Sequence, residues 1–485
     1  MPPRLYLAFA LGLAPVAAFA RDAGPLVPVP LPDPHLAGFR FPESEATLTR
    51  WITESFRAET AEARAAAADR IAFHGWGLWT ALTAPTAQSA ERQPLRVFET
   101  WFTPEELVAE AAGATATALS LSVTPRVRSR GVLRPLVLLR PPVDAAPTID
   151  APPVEAAAPE PAVNRIVGFV KFDPTAADHI RRQGLLQRAT LDTLLAGGAQ
   201  QVTPFPATAL AVKSVFQVIH VRELVDGRYY FLKAWSGPPS RPQPWSPADW
   251  PGGVWIDVGD DGAGDGSIDE MPAADGSTRT DATTYPLSAL INYRLSAADA
   301  AALNQAKPGA NAVVGDYAIL VAMHVAGREI ARWTWQTFWW TPAPDDPPAP
   351  SSTAIARLRP PQLDAAARHY AMAIGYTMLS PEQPYVGGEN TTPAVYAYNP
   401  WIEARLGSAE LPDSQRGFDP SGQPADNNTG VQTNCMSCHI QATYNPHGLA
   451  TAPRFTGARY VDLGAAAFVG TLQTEFLWSI ARQAQ

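Results

Sequence analysis

The chain of 485 residues contains two cysteines, Cys435 and Cys438, which stand in the stretch NCMSCH directly before His439. The pattern C-x-x-C-H is the attachment signal for a c-type haem. On one helical turn the two thiols reach the vinyl groups of the macrocycle, and the adjacent imidazole is carried under the iron as axial ligand. The motif therefore predicts one covalently bound haem c per chain, with Cys435 and Cys438 as attachment points and His439 as the metal ligand.

Two other interpretations of the cysteine pair use fewer of these residues. A disulfide across two intervening residues is found mainly in redox motifs within a βαβ setting, and no such setting surrounds Cys435. A structural zinc site needs four ligands, whereas the chain offers one cysteine pair. The haem interpretation is favoured because it uses both thiols and His439.

No motif marks the ligand on the opposite side of the iron. Small electron-transfer cytochromes supply a methionine downstream, but residues 440–485 contain none, and His447 in this tail lies close in sequence to His439. The upstream candidates are His74, Met323, His324, His369, Met372 and Met378. A predicted helix over RHYAMAIGYTM places His369, Met372 and Tyr376 on one face. Two alternatives stay open, a core-facing stripe and an iron with an open distal position.

The N-terminal stretch MPPRLYLAFALGLAPVAAFA has one arginine, an apolar run, and small residues at Ala18 and Ala20. This pattern predicts a signal peptide over residues 1–20, cleaved after Ala20. The apolar run is short for a membrane span, and no later segment is long and apolar enough to form a stable one. The mature chain is therefore predicted to be periplasmic, which agrees with haem attachment outside the bacterial cytoplasm.

The charge of the chain limits its partners. The formal net charge is −9, and the sequence has no basic run. A moderately acidic exported chain is a poor candidate for binding nucleic acid or anionic lipid. The predicted partner is instead a redox partner protein or a small-molecule electron donor or acceptor.

Composition divides the chain into three parts after the signal peptide. Residues 21–140 form a helical or mixed N-terminal region, and residues 141–163 are a Pro/Ala-rich linker or loop. Residues 164–485 form a β-rich haem c domain with insertions. The predicted fold class is α+β, with an antiparallel β-sheet core, peripheral helices, long loops and a C-terminal haem-attachment segment.

Local signals place the individual elements. One helix is predicted from Ser44 to about Phe73 and another over LDAAARHYAMAIGYTML. Capping residues start three more helices, at Thr103, Asp173 and Ser296. The strands are IVGFVKF, then ALAVKSVFQVIHVREL paired with GRYYFLKAWSG around Asp226–Gly227, and then two long strands joined around Gly327.

The order of these features resembles the cytochrome P-460 family and its gas-binding relatives. The resemblance lies in IVGFVKFDPTAADHI, in the lysine-bearing strand AVKSVF, in GRYYFLKAWSG, and in NCMSCH followed by a hydrophobic tail. It implies a mostly β domain and a five-coordinate iron with His439 as the ligand on one side. In hydroxylamine-oxidising members a lysine is cross-linked to the haem edge, and Lys213 is the corresponding position. The other interpretation of Lys213 is a strand lysine that faces solvent.

Two further patterns have both a functional and a structural interpretation. The stretch from Asp261 to Asp269 partly matches a calcium loop, but Ala263 and Pro272 occupy two ligand positions, which favours a solvated acidic turn. The strand WTWQTFWW places Trp333, Trp335 and Trp339 on one face, and Phe338 and Trp340 on the other. These aromatic rings either line the haem pocket and carry electrons or pack in the core on both faces of a buried strand.

The functional prediction is a periplasmic monohaem c-type cytochrome that binds haem and transfers electrons. Two alternatives assume an open distal position. One is a haem enzyme, a peroxidase or oxidase of small nitrogen or oxygen species. The other is a gas-binding protein without turnover.

Overall fold

The computed structural model describes residues 26–90, 93–111, 166–240, 245–306, 309–384, 386–406, 432–446, 457–465 and 468–483. The predicted signal peptide (1–20), the Pro/Ala-rich segment (141–163) and His447 lie outside these residues. Within them, no helix is both long enough and apolar enough to cross a bilayer.

The described residues form ten α-helices and thirteen β-strands. The helices are α1 (Glu45–Arg57), α2 (Ala61–Thr83), α3 (Pro104–Ala111), α4 (Pro174–Gln183), α5 (Arg188–Ala196), α6 (Ala297–Ala306), α7 (Thr353–Ala356), α8 (Ala365–Arg368), α9 (Cys435–His439) and α10 (Trp478–Gln483). The strands are β1 (Pro85–Ala90), β2 (Gln93–Arg96), β3 (Ile166–Phe172), β4 (Leu210–Ile219), β5 (Tyr229–Lys233), β6 (Gly253–Asp257), β7 (Thr284–Pro286), β8 (Asn292–Arg294), β9 (Tyr317–Gly327), β10 (Thr334–Trp340), β11 (Tyr370–Ile374), β12 (Thr443–Tyr444) and β13 (Leu472–Gln473).

A six-stranded antiparallel sheet forms the core, in the order β11-β10-β9-β4-β3, with β8 also paired to β9. Its central strands are rich in β-branched and aromatic residues and are buried on both faces, as their long apolar runs require. Helices surround this sheet. The predicted α+β class with an antiparallel sheet core is therefore confirmed.

The two faces of the sheet are covered differently. On one face Phe338 stacks on Trp79 of α2, with ring centroids 4.3 Å apart, and α2 covers that side. Side chains alternate along a strand, so Thr337 and Trp335 of β10 lie on the other face. That second face carries Lys213 and His324 and meets α9, through the contact of Trp335 with His439.

The predicted helix from Ser44 to about Phe73 is two helices. Ser44 caps α1 by accepting from the Thr47 amide, and α1 ends at Arg57. Thr60 then caps α2, because its side chain accepts from the Ala63 amide. A threonine in extended backbone conformation satisfies the first free amides of a new helix, so the chain turns there instead of continuing.

The other predicted caps are confirmed. Thr103 and Glu106 exchange hydrogen bonds at the start of α3. Asp173 accepts from the amides at the start of α4, and Pro174 occupies the first helical position. Ser296 and Asp299 form the same reciprocal pair at α6. Each cap satisfies amides that the helix itself leaves free.

The helix predicted over LDAAARHYAMAIGYTML is wrong. Only α8, Ala365–Arg368, is helical, and β11 follows from Tyr370. Strand β11 pairs with β10, so that Met372 lies opposite Phe338. The hydrogen bonds and burial gained at the sheet edge outweigh the local helical periodicity. His369, Met372 and Tyr376 therefore do not share a helical face.

The predicted pairing of β4 with β5 is also wrong. Strand β4 pairs with β3 and β9, whereas β5 joins a separate three-stranded sheet in the order β5-β6-β7. Asp226 and Gly227 do form a turn with positive φ, but it closes the local bridge between Val225 and Tyr229. The predicted hairpin of β9 and β10 is present and is closed by residues 328–333.

Candidate haem-attachment site

The short helix α9 contains the whole motif and is fixed at its N-terminus by Asn434. The Asn434 side chain accepts from the Ser437 amide at 3.1 Å. Its own amide group donates to the carbonyls of Thr377 and Val395, at 3.1 and 2.7 Å. Asn434 is fully buried. One residue therefore starts the helix and ties it to the chain that follows β11.

The two thiols lie on one turn of α9 and are not joined by a disulfide. Cys435 Sγ lies 3.1 Å from the Ala397 carbonyl oxygen, to which the thiol donates. Burial, and then the charge of Glu403, raises the pKa of both cysteines well above the ordinary range. Both are protonated thiols at neutral pH, which differs from the thiolate of a redox-active cysteine.

His439 has one ring nitrogen occupied and the other available. Its Nδ1 lies 2.8 Å from the Phe476 carbonyl oxygen. A carbonyl only accepts hydrogen bonds, so Nδ1 carries the proton and Nε2 keeps its lone pair. Burial lowers the pKa of His439 to about 3, against the opposing effect of the Phe476 carbonyl. The ring is therefore neutral at pH 7, with an unprotonated Nε2.

Trp335 packs directly on this imidazole. The ring centroids of Trp335 and His439 are 4.3 Å apart, with planes inclined by 40°. Trp335 lies in an apolar cluster that also contains Cys435, Met436 and Phe476. The tryptophan that the sequence left between two interpretations is thus both a core residue and a wall of this site.

Three ionisable side chains lie close to the motif, and we call them the polar cluster: Lys213, His324 and Glu403. Lys213 and His324 are directly opposite each other in the β4–β9 pairing. His324 Nε2 lies 2.8 Å from Glu403 Oε1. The charges of Lys213, His324 and Glu403 all affect the pKa of His439, so the three groups lie within electrostatic reach of its ring.

The charge balance of the polar cluster keeps Glu403 ionised. Burial alone raises the pKa of Glu403, but His324, Lys213 and the Asn399 amide together lower it below its ordinary value. Asn399 also ties this carboxylate to the sheet. Its backbone amide donates to Glu403 at 2.6 Å, and its side chain donates to Thr337 at 2.8 Å.

Of the six predicted distal candidates, His324 is the one that the structure places in the polar cluster. Met323 is fully buried on the opposite face of β9. Met372 packs in the main core below Gly75. Met378 is buried in the apolar cluster that contains Cys435.

The two remaining candidates lie elsewhere. His369 packs against the rings of Tyr285 and Trp340, with centroid distances of 5.9 and 6.2 Å. His74 is held by the Tyr376 hydroxyl at 2.7 Å and by Glu329 at 3.1 Å. Both histidines therefore have structural surroundings of their own, away from His439.

Lys213 does not fit the interpretation of a solvent-facing strand lysine. Its side chain is only partly exposed, and its charge lowers the pKa of both Glu403 and His439. The resemblance to the cytochrome P-460 family had singled out this lysine, whereas its strand alone gave no such signal.

Asp269, at the end of the acidic stretch, and the nearby Asp257 are committed to other contacts. Arg228 holds both oxygens of Asp257, at 2.7 and 2.6 Å. Asp269 accepts from Trp255 and Thr278. Among the residues that the structure describes, no group of three His, Cys, Asp or Glu is arranged to hold a metal ion. These contacts agree with an acidic turn.

Two residues of the site carry no signal in the sequence. Glu403 lies in the stretch NPWIEARLG, where nothing distinguishes it from a surface carboxylate. The Phe476 carbonyl is a backbone group, so no residue type marks it. Both are found only once the chain is folded, because they lie 36 and 37 residues from His439.

No family model, no curated protein and no solved structure matches this chain. The resemblance to the cytochrome P-460 family therefore stays a prediction from the sequence.

Proposed function

We propose that the chain is a monohaem c-type protein in which Cys435 and Cys438 form the two thioether bonds and His439 Nε2 ligates the iron. The observation that carries the proposal is the hydrogen bond from His439 Nδ1 to the Phe476 carbonyl, which leaves Nε2 free on the residue that the motif assigns to the iron. An exported, periplasmic location is part of this proposal.

Three features around the motif support this proposal. Two thiols lie on one helical turn, Trp335 packs on the His439 imidazole, and an apolar cluster surrounds them. When bound, haem supplies reversible one-electron exchange and, at an open position, the binding of a small ligand. The chain supplies orientation, burial and nearby proton donors and acceptors.

The polar cluster favours chemistry in which protons move with electrons. Glu403 is an ionised carboxylate hydrogen-bonded to an imidazole, with a lysine beside them. Such a pair holds and delivers a proton near the axial site. We therefore propose a haem enzyme that acts on small nitrogen or oxygen species at an open distal position. Within this pair His324 passes the proton and Glu403 orients the ring and stabilises its charged form.

Electron transfer without a substrate is the second candidate. His324 Nδ1 is buried and has no hydrogen-bond partner among the described residues. An imidazole with a free nitrogen is a competent second axial ligand. In that arrangement His439 and His324 would both hold the iron, and the chain would pass electrons to a redox partner protein or to a small-molecule donor or acceptor.

Spectra of the purified protein separate these candidates. An open distal position gives a high-spin ferric iron whose reduced form binds carbon monoxide. A low-spin iron that ignores carbon monoxide supports electron transfer, and it contradicts the enzymatic proposal.

Two variants test the attachment itself. In Cys435→Ala/Cys438→Ala the pigment is expected to be lost on acid–acetone extraction, whereas wild-type protein keeps it. His439→Ala is expected to change the spectrum of the attached haem, while the distant His369→Ala leaves it unchanged. Retention of pigment by the double-alanine variant would refute covalent attachment.

A further inference from the structure

Backbone strain is concentrated next to His439. Glu475 and Phe476 have φ values of 49° and 66°, and the Leu477 amide donates to the Thr474 carbonyl at 3.0 Å. Two consecutive positive φ angles inside this hydrogen bond define a type I′ turn. Such turns normally use asparagine, aspartate or glycine at these positions. Glutamate and phenylalanine have no such preference, so the turn needs support from outside.

Arg328 contributes to that support. Its Nε lies 2.7 Å from Glu475 Oε2, and both side chains are largely buried. The Phe205 amide donates to the same Glu475 oxygen at 3.4 Å. Arg328 belongs to the loop between β9 and β10, and its amide donates to the Ala209 carbonyl at 3.0 Å. The ion pair thus connects the strained turn to the central sheet.

The turn directs one group at the axial histidine. It is the Phe476 carbonyl that accepts from His439 Nδ1 at 2.8 Å. Phe476 itself carries this carbonyl, so the backbone angles that Glu475 and Phe476 adopt in the turn set the direction in which it points. A hydrogen bond to the second ring nitrogen fixes the tautomer of a ligating histidine and raises its basicity.

We propose that the Arg328–Glu475 ion pair is a positioning device that holds the strained turn in place, so that the Phe476 carbonyl sets the orientation and donor strength of His439. This inference rests on the proposed function and deepens it. Arg328 and Glu475 act through the turn, because Arg328 is paired with the Glu475 carboxylate and the neighbouring Phe476 carbonyl accepts from His439.

Two substitutions of Glu475 separate a role in setting the turn conformation from a role in attaching the turn to the sheet. Glu475→Gln and Glu475→Asn both remove the charge, but asparagine tolerates positive φ much better than glutamine does. In Glu475→Gln the turn relaxes and His439 loses its acceptor. In Glu475→Asn the turn persists without the ion pair.

The reduction potential of the attached haem is the first measurement. Loss of the acceptor weakens the imidazole as a donor to ferric iron, so the midpoint potential is expected to rise in Glu475→Gln and to stay at the wild-type value in Glu475→Asn. The proposal is overturned if the two variants shift alike or if neither shifts.

The second measurement needs no haem. In the full chain produced without haem attachment, nitrogen NMR reports the tautomer of His439, and hydrogen exchange reports the protection of its Nδ1 proton. We expect the Nδ1–H tautomer in wild type and in Glu475→Asn, and exchange about tenfold faster in Glu475→Gln, as the loss of one hydrogen bond predicts. Equal exchange in all three proteins would contradict the positioning role. Failure of the proposed function would show separately, as protein without pigment under haem-attaching conditions.

Discussion

The two faces of the central sheet are built from neighbouring residues with different tasks. On β9, Met323 and His324 are consecutive. Met323 is fully buried on the face that α2 covers, whereas His324 joins Glu403 on the face that meets α9. Buried apolar side chains lower the free energy of the fold, but buried ionisable groups raise it unless they are paired. The free-energy cost of keeping the polar cluster beside the C-x-x-C-H motif is the reason to propose a proton-transfer role for it.

Truncation of a side chain on the sheet face that α2 covers should lower the free energy of unfolding the most. Phe338→Ala removes a fully buried ring that stacks on Trp79. We expect the free energy of unfolding to fall by about 3–5 kcal/mol, measured by urea denaturation. Truncation of the exposed aromatic in Tyr396→Ala is the control and should change it by less than about 0.5 kcal/mol. Equal losses in Phe338→Ala and Tyr396→Ala would contradict the view that the ring of Phe338 is a core residue and that of Tyr396 is not.

On the sheet face that meets α9, protonation of His439 should lower the free energy of unfolding in acid. In protein made without haem, its pKa is about 3 when folded and 6.5 in its unperturbed state. The unfolded chain binds the proton more readily, so stability is unaffected above about pH 6.5 and falls as the pH drops toward 3, by up to about 1.4 kcal/mol per pH unit.

Urea unfolding of wild type and His439→Gln across this range isolates the contribution of His439. The variant should lack that part of the slope. If both proteins lose stability in parallel, the buried, neutral imidazole is contradicted.

The Glu403–His324 pair should contribute less to the free energy of unfolding than Phe338 does. Its contribution should be lost at a lower pH than the one at which His439 begins to act. Because the pKa of Glu403 is lowered, the pair stabilises the fold above about pH 4.5, and this contribution is lost as the pH falls through the folded-state pKa. Glu403→Gln should cost about 1–3 kcal/mol at neutral pH and little in acid. The exposed Glu389→Gln serves as control. An effect that persists unchanged in acid would show that the charge of Glu403 is not the cause.

The acidic turn should respond least. The Asp261 side chain is 85% exposed and touches Arg228 only at 3.4 Å. Asp261→Asn is expected to change the free energy of unfolding by less than about 0.5 kcal/mol. Calcium should not raise the melting temperature of either protein. A rise in wild type that is absent from the variant would restore the calcium interpretation.

Local chemistry explains how much of the fold the sequence predicts. The caps at Thr103, Asp173 and Ser296 need only a few adjacent residues, and they are present. The strand that begins at Tyr370 was predicted as helix, since its partner β10 is remote and the local pattern suits either structure. For the same reason β5 was given the wrong partner.

The site divides in the same way. The C-x-x-C-H pattern predicts the roles of Cys435, Cys438 and His439 from five consecutive residues, because haem attachment requires this spacing. Glu403 could not be predicted, because its position near His439 depends on the long connection between β11 and α9. Among the six distal candidates, residue type alone could not separate His324 from the rest. Only the strand pairing that places it opposite Lys213 does so.

The intact mass of the mature protein, produced in a host that attaches haem, tests the central claim most directly. Our account predicts the mass of the polypeptide plus one iron porphyrin, retained under denaturing conditions. A mass equal to that of the polypeptide alone would contradict it.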